Sequence, residues 1–235
     1  MFEGKKILAI VPARGGSKGI PNKNIIDVMG KPLIQYTLEE AFKSKYIDKV
    51  HISTDSIKIA NIVKKLGCEV ERLRPEELAK DDTKTIDVLV DVLKYFEKLK
   101  EKYEIIILLQ PTQPLRTVKH IDEAIECYMK NCEQGLVSVS LAKQHPILMR
   151  KIDNKGCLEN LLGTNSTVRR QEFNDIYIVN GAIYINDSKS ILENVSLNDN
   201  PIPYYMNDGY INLDIDEPID LAIFKMILED LNKST

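Results

Sequence analysis

Arg14, Lys18 and Lys23 crowd around Gly15, Gly16 and Gly19, directly after a run of five apolar residues at 7–11. Such a run is too short to span a membrane and long enough for a fully buried strand. Pro12 ends it, because proline has no N–H to give to a ladder. A glycine-rich turn at the carboxyl end of a parallel strand brings backbone N–H groups close to an anion. Three cations around that turn point to a polyanion such as a nucleoside triphosphate. The spacing is neither G-x-x-x-x-G-K-[ST] nor G-x-G-x-x-G, so neither the common ATPase loop nor a dinucleotide fingerprint is present. The plainer alternative is a solvated basic loop after an edge strand.

The second chemical cluster is acidic. In INLDIDEP, residues 211–218, an extended strand would turn Asp214 and Asp216 to one side and Leu213 and Ile215 to the other. Two carboxylates so placed can share a hard cation, and Mg²⁺ on a triphosphate typically uses one or two protein carboxylates. Alternatively, Asp216 caps a helix opened by Pro218, with Leu221, Phe224, Ile227, Leu228 and Leu231 as its apolar stripe.

The remaining pattern supplies elements to position these clusters. Helical spacing predicts a helix over 33–45, with Ile34, Leu38, Ala41 and Phe42 inward, and another after Asp55, which would cap it, closed by Gly67. Strands are expected at 49–54, 69–72, 105–109, 136–140 and 177–186, and further helices at 85–100 and after Thr117. Strands alternating with helices mean right-handed β-α-β units and a doubly wound, mostly parallel α/β sheet. Ligands of such sheets sit beyond the carboxyl ends of the strands, where the Arg14 loop and the Gln110 loop both lie. From 143 to 174 the pattern weakens into a hairpin-like excursion.

Composition sets the class. A chain of 235 residues with 43% hydrophobic and 29% charged content suits one soluble α/β domain, 1–235, interrupted by the excursion. A net charge of −3 leaves no footprint of nucleic-acid binding. The four cysteines form no C-x-x-C pair and only three histidines are present, so structural zinc is not expected. No signal peptide or membrane span is read, and a cytoplasmic protein with reduced thiols is expected.

The stretch P-A-R-G-G-S-K-G-I-P-N-K-N resembles the signature of the acylneuraminate cytidylyltransferases, the CMP-sialic acid synthetases and their relatives for other nonulosonic acids. Further stretches match in order. LLQPTQPLR at 108–116 resembles the family's LLQPTSPLR, with Gln113 in place of serine, and YIVNGAIYIND at 177–187 resembles its NGAIYI strand. D-I-D before a helix resembles its metal-binding aspartates.

The resemblance implies that Arg14, Gly15, Gly16, Ser17, Lys18, Lys23, Asn24, Arg74 and Thr85 contact the nucleotide. It implies that Gln110, Arg170, Asn180 and Tyr184 face the sugar, and that Asp214 and Asp216 hold Mg²⁺. Arg14, Lys23 and Asp214 would be catalytic. It also implies a homodimer joined through 143–174. Bland alternatives stand beside two of these: a surface ion pair of Arg74 with Glu76 or Glu77, and a core place for Tyr184. Members acting on sialic acid carry a lysine shortly after a His-Pro pair; here His145-Pro146 is followed by Ile147, Leu148 and Met149, with basic residues at Arg150 and Lys151. His145 is a weak candidate base.

The expected reaction is CTP plus an acidic nine-carbon sugar giving the CMP-sugar and pyrophosphate. Competing readings are another sugar nucleotidyltransferase, acting on Kdo or a sugar 1-phosphate, and a non-catalytic nucleotide-binding module.

Overall fold

A computed structural model describes residues 2–131, 133–163, 174–207 and 209–233. In chain order the strands are β1 (Ile7–Pro12), β2 (Asp27–Val28), β3 (Lys31–Pro32), β4 (Lys49–Ser53), β5 (Ile105–Leu109), β6 (Leu136–Leu141), β7 (Arg150–Ile152), β8 (Leu158–Asn160), β9 (Tyr177–Asp187) and β10 (Ile202–Tyr205). The helices are α1 (Leu33–Lys43), α2 (Ile57–Lys65), α3 (Thr85–Lys98), α4 (Val118–Lys130), α5 (Ser188–Leu192) and α6 (Pro218–Lys233). A six-stranded sheet runs in the order β10-β6-β9-β5-β1-β4. All its neighbours pair in parallel except β9, which lies antiparallel between β5 and β6.

The unbroken apolar runs of β1 and β5 reflect burial on both faces. Ile7, Ala9 and Val11 join α1, α2 and α4 on one face, through Ile34, Leu38, Ile59, Val63 and Ile121. Leu8 and Ile10 join α3 on the other, through Leu89, Val92, Leu93 and Phe96. A third cluster stands apart, formed by Ile20, Val28, Leu33, Ile215, Leu221 and Phe224. It welds the loop after β1 to the segment before α6.

β9 is reversed for a topological reason. A parallel return from β6 needs a crossover, usually a helix, whereas an antiparallel neighbour needs only a loop. Here the β7–β8 hairpin lies within the connection, and the chain comes back down the sheet. The hairpin falls within the range 143–174 of the expected excursion, of which 164–173 lie outside the described residues.

Several expectations are corrected. Residues 69–72 form no strand: EVER has a single apolar residue, and its charges are drawn sideways, Arg72 to Asp91 and Glu71 to Lys49. Phe42 and Leu231, placed on buried stripes, are both about half exposed, at 47% and 48%. Helices end two residues earlier than predicted at Lys43 and Lys98. Asp55 is not the cap of α2; Ser56 is, its hydroxyl accepting from Ile59 N. The ribbon β2–β3, the short α5 and β10 were not expected.

Arg116 shows how the sheet is braced. The side chain is 1% exposed, donating from Nη1 to the Ala182 carbonyl at 2.7 Å and from Nη2 to Thr37 Oγ1 at 3.0 Å. It thereby links the β5 loop, β9 and α1. Arg116→Ala leaves those acceptors buried and opens a cavity, so unfolding in urea should lose about 3 kcal/mol or more. An unchanged midpoint would show that the strut carries no stability.

Candidate functional site

Pro12 is the last residue of β1, and Ala13 N still donates to Ser53 O across to β4. From there the chain leaves the sheet into the glycine-rich loop. Gly15 N donates to Asp55 Oδ1 at 2.8 Å, and Asn24 Nδ2 returns to the Arg14 carbonyl at 3.0 Å. The loop is therefore a preformed shape held from both sides. It also means that the Gly15 N–H is already used: Asp55, read from sequence as a helix cap, takes the hydrogen bond expected to reach an anion.

Arg14, Ser17, Lys18, Lys23 and Asn24 line one cleft of about 560 Å³, together with Arg74, Thr85, Gln110 and Asp216. Lys23 Nζ meets Asp216 Oδ1 at 2.7 Å. Arg14 and Lys18 both meet Asp81, at 2.8 and 2.9 Å, and Arg14 Nη1 also donates to the Lys80 carbonyl at 3.0 Å. Arg74 is no surface ion pair. It is buried, donating from Nε to Ser53 Oγ at 3.0 Å, and burial pulls its pKa down to about 10 against the pull of Asp55. Such an arginine keeps its charge at neutral pH and presents it to the cleft from a fixed place. Thr85 opens α3 at the cleft wall.

The segment 211–217 is not a strand, yet its side chains alternate as one. Ile215 is fully buried in the third apolar cluster and Leu213 packs partly against it, while Asp214 and Asp216 turn outward. Asp216 does not cap α6. It stands two positions before Pro218; Asp220, in the first turn, reaches back to accept from Asp216 N at 2.9 Å and Glu217 N at 2.7 Å, and the Asp216 carboxylate meets Lys23 in the cleft. Although Asp214 is exposed as a residue, crowding around its carboxyl raises its pKa; the Asp216 charge adds to this and the Thr112 hydroxyl opposes it. Adjacent carboxylates that raise one another's cost of ionisation suit a divalent cation, and all their donors are oxygens. Asp214 and Asp216 are therefore the residues able to hold one.

Beside the cleft, Gln110, Asn180, Gly181, Tyr184, Asn198 and Asp214 surround a smaller pocket. β9 supplies three of these because its start lies level with the carboxyl ends of β5 and β6. Ser138 and Ser140 of β6 lock the Asn180 amide: Ser138 Oγ donates to its Oδ1, and its Nδ2 donates to Ser140 Oγ at 2.7 Å. Ser138 sits at an irregularity of the β6–β9 ladder and takes Ile183 N at 2.8 Å. Gly181 has φ +76, and Gln110 Oε1 lies 3.1 Å from where a Cβ would stand, so glycine lets the glutamine lie across it. Tyr184 is both core and pocket, 7% exposed, with its hydroxyl donating to Asn198 Oδ1 at 3.0 Å.

Other expected residues fall elsewhere. Gly16 flanks the cleft lining without a neighbour on its Cβ side. Arg170 lies outside the described residues. His145 accepts from Ile147 N and lines a different cavity, beside Leu148 and Met149, so it is no base for this site. Arg150 donates to the carbonyls of Ile147 and Met149, and Lys151 pairs with Glu159 on the hairpin. Sequence reasoning missed Asp55, Asp81, Thr112, Asn198 and the two serines. Asp81 stood in the acidic pair of KDDTKT, a visible signal without an assigned partner.

Residues 8–233 match the cytidylyltransferase family. The chain belongs to that family. The cytidylyltransferase, an enzyme of the nucleotidyltransferase class, is 38% identical over 226 residues to the CMP-N,N'-diacetyllegionaminic acid synthase of Legionella pneumophila, covering 95% of this chain and 97% of that one. It is 35% identical over 213 residues to the N-acylneuraminate cytidylyltransferase of Streptococcus agalactiae, covering 90% of this chain and 50% of that one. It thus spans about half the length of that relative. Among solved structures it resembles a CMP:2-keto-3-deoxy-manno-octonic acid synthetase complexed with CTP, with TM-score 0.70 over 96% of this chain and 99% of that one. At 17% identity that likeness speaks for the fold, including its mainly parallel sheet.

Gly19 marks where the cytidylyltransferase's two charged segments touch: a Cβ there would stand 2.3 Å from the Asp216 carbonyl. Gly19→Ala must push the segments apart, and turnover should fall about a hundredfold, since displacements near 1 Å cost that much. Gly16→Ala, with nothing within 4 Å of its Cβ, should keep the parent's thermal midpoint. Equal effects of the two changes on turnover and midpoint would refute the contact's importance.

Proposed function

We propose that this cytidylyltransferase transfers a cytidylyl group from CTP to a nonulosonic acid, giving the CMP-sugar and pyrophosphate. One observation carries the reading. The cleft that gathers Arg14, Lys18 and Lys23 opens beside a polar pocket of amides and a tyrosine, with Asp214 and Asp216 at their junction. A triphosphate fits the cations, and a sugar bearing hydroxyl and amide groups fits Gln110, Asn180, Tyr184 and Asn198. The names of the Legionella and Streptococcus relatives support the same pairing of nucleotide and sugar class.

The chemistry is in-line displacement. The sugar's anomeric oxygen attacks the α-phosphorus, the bond to the β-phosphate bridging oxygen breaks, and pyrophosphate leaves with that electron pair. Positioning and charge neutralisation supply the rate. Arg14, Lys18 and Lys23 hold the leaving phosphates as charge accumulates on them. Asp214, at the edge of the smaller pocket, is the carboxylate placed to take the anomeric proton. Mg²⁺, when held by Asp214 and Asp216, would add positive charge at the phosphates.

Purified chain, CTP and a panel of acidic sugars, with pyrophosphate release as readout, test this directly. Arg14→Ala and Lys23→Ala should each lower turnover about a hundredfold or more. Asp214→Asn and Asp216→Asn should remove most activity and the response to Mg²⁺ while leaving the thermal midpoint nearly unchanged. Undiminished rates in the asparagine variants would sink the metal assignment, and release with sugar 1-phosphates alone would sink the sugar class.

The protein in this reading is a cytoplasmic homodimer joined through 143–174. The hairpin leaves Ile152 72% and Leu158 73% exposed, beside Leu148, Met149 and Leu161, an apolar surface of the kind that partners cover. Among the described residues no helix is long and apolar enough to cross a membrane. Light scattering at micromolar concentration should return a dimer, and Ile152→Asp with Leu158→Asp a monomer; a monomeric parent would rule the interface out.

A further inference from the structure

Two of the three cations of the glycine-rich loop share a single carboxylate. Asp81 Oδ1 accepts from Arg14 Nη2 at 2.8 Å, and Asp81 Oδ2 accepts from Lys18 Nζ at 2.9 Å. One oxyanion bridging both groups is the arrangement a phosphate would adopt there. Asp81 lines the cleft itself and is about half exposed, with Lys18 and Arg14 holding its carboxyl below the usual carboxylate range, Lys18 foremost.

We propose that Asp81 is an internal counter-anion of the phosphate loop: it holds Arg14 and Lys18 until the triphosphate displaces it, and takes them back as pyrophosphate departs. The inference rests on the reading of the cleft as a triphosphate site. Three observations carry it. First, Arg14, Lys18 and Lys23 would repel one another around a loop already shaped by Asp55 and Asn24, and each is paired with a carboxylate, Asp81 or Asp216. Second, both Asp81 pairs are accessible to water, Lys18 being 78% exposed, and exposed ion pairs are weak enough to exchange. A phosphate group, with more charge and more acceptor oxygens than one carboxylate, outcompetes such a partner. Third, Arg14 has a second anchor, the Lys80 carbonyl, so it keeps its place while Asp81 is exchanged.

The consequence is directional. Asp81 is a positioning residue that keeps the cations in place between turnovers and lowers affinity for every polyphosphate that enters. Asp81→Asn keeps the side chain's size and removes its charge, so the full chain should bind inorganic pyrophosphate about three- to tenfold more tightly, the scale of exposed pairs. KM for CTP should fall by a similar factor, with kcat no higher than the parent's. The gain should shrink below about twofold near 1 M salt, where exposed charges are screened. Glu229→Gln, about three turns along the exposed side of α6, removes the same charge remotely and should change nothing.

Calorimetric titration of pyrophosphate into the parent, Asp81→Asn, Glu229→Gln and Arg14→Ala separates the cases. Unchanged or weaker binding by Asp81→Asn, with Arg14→Ala clearly weakened, overturns the counter-anion and leaves the triphosphate site standing. A parallel loss of kcat and rise of KM in Asp81→Asn makes Asp81 a mere scaffold of the loop and overturns the proposal likewise. If Arg14→Ala binds pyrophosphate as the parent does, the triphosphate reading itself fails, and the counter-anion with it.

Discussion

The site depends on an apolar clamp. Ile20 from the glycine-rich loop, Ile215 from between the two aspartates, and Leu221 and Phe224 of α6 bury one another with Val28 and Leu33. Burying side chains of this size stabilises by about 1.5–3 kcal/mol each. Polar contacts alone would not hold two exposed loops in one register, because exposed ion pairs contribute little. The clamp does, and with it Lys23 Nζ and Asp216 Oδ1 come within 2.7 Å across 193 positions of sequence. The closeness of the approach explains the loop's composition: no side chain fits at Gly19, where the Asp216 carbonyl already stands.

The sheet contributes the other half of the site through one reversed strand. After β6 the chain forms the β7–β8 hairpin, and β9 runs back between β5 and β6. Its first residues, including Asn180 and Gly181, are thereby delivered to the end of the sheet where the loops after β1 and β5 already lie. The serines of β6 then lock Asn180, and Arg116 ties β9 to α1. A pocket built on such locked polar groups is shaped in advance, which lowers the ordering cost of binding any polar ligand.

Charge is distributed to the same end. The cations of the glycine-rich loop are each matched with a carboxylate, and the loop's own N–H at Gly15 is held by Asp55. Such pairing lets a strongly charged cleft coexist with a stable fold. Arg74 differs, being buried and bonded to β4, a fixed charge at the cleft wall.

The sequence by itself determined much of this. The two-sided apolar runs of β1 and β5 announced a parallel sheet, since only burial on both faces tolerates them. The alternation through LDIDE placed Ile215 inward and the aspartates outward, although the segment is no strand, because burial of one face imposes a period of two on any extended chain. The loop cations, the Gln110 loop and the β9 strand were all legible as local pattern, with their shared end of the sheet. What only the tertiary structure decided is who partners whom. Asp55 left the cap of α2 to Ser56 and turned to Gly15, Asp216 met Lys23 while Asp220 tied down the backbone before α6, and Arg74 went inward to Ser53. Each outcome rests on contacts between residues distant in sequence, and a carboxylate or guanidinium carries no local mark of which distant group it will meet. Direction, too, escaped the sequence: an apolar strand reads the same whether it lies parallel or antiparallel, and only the pairing of β9 with β5 and β6 decided it.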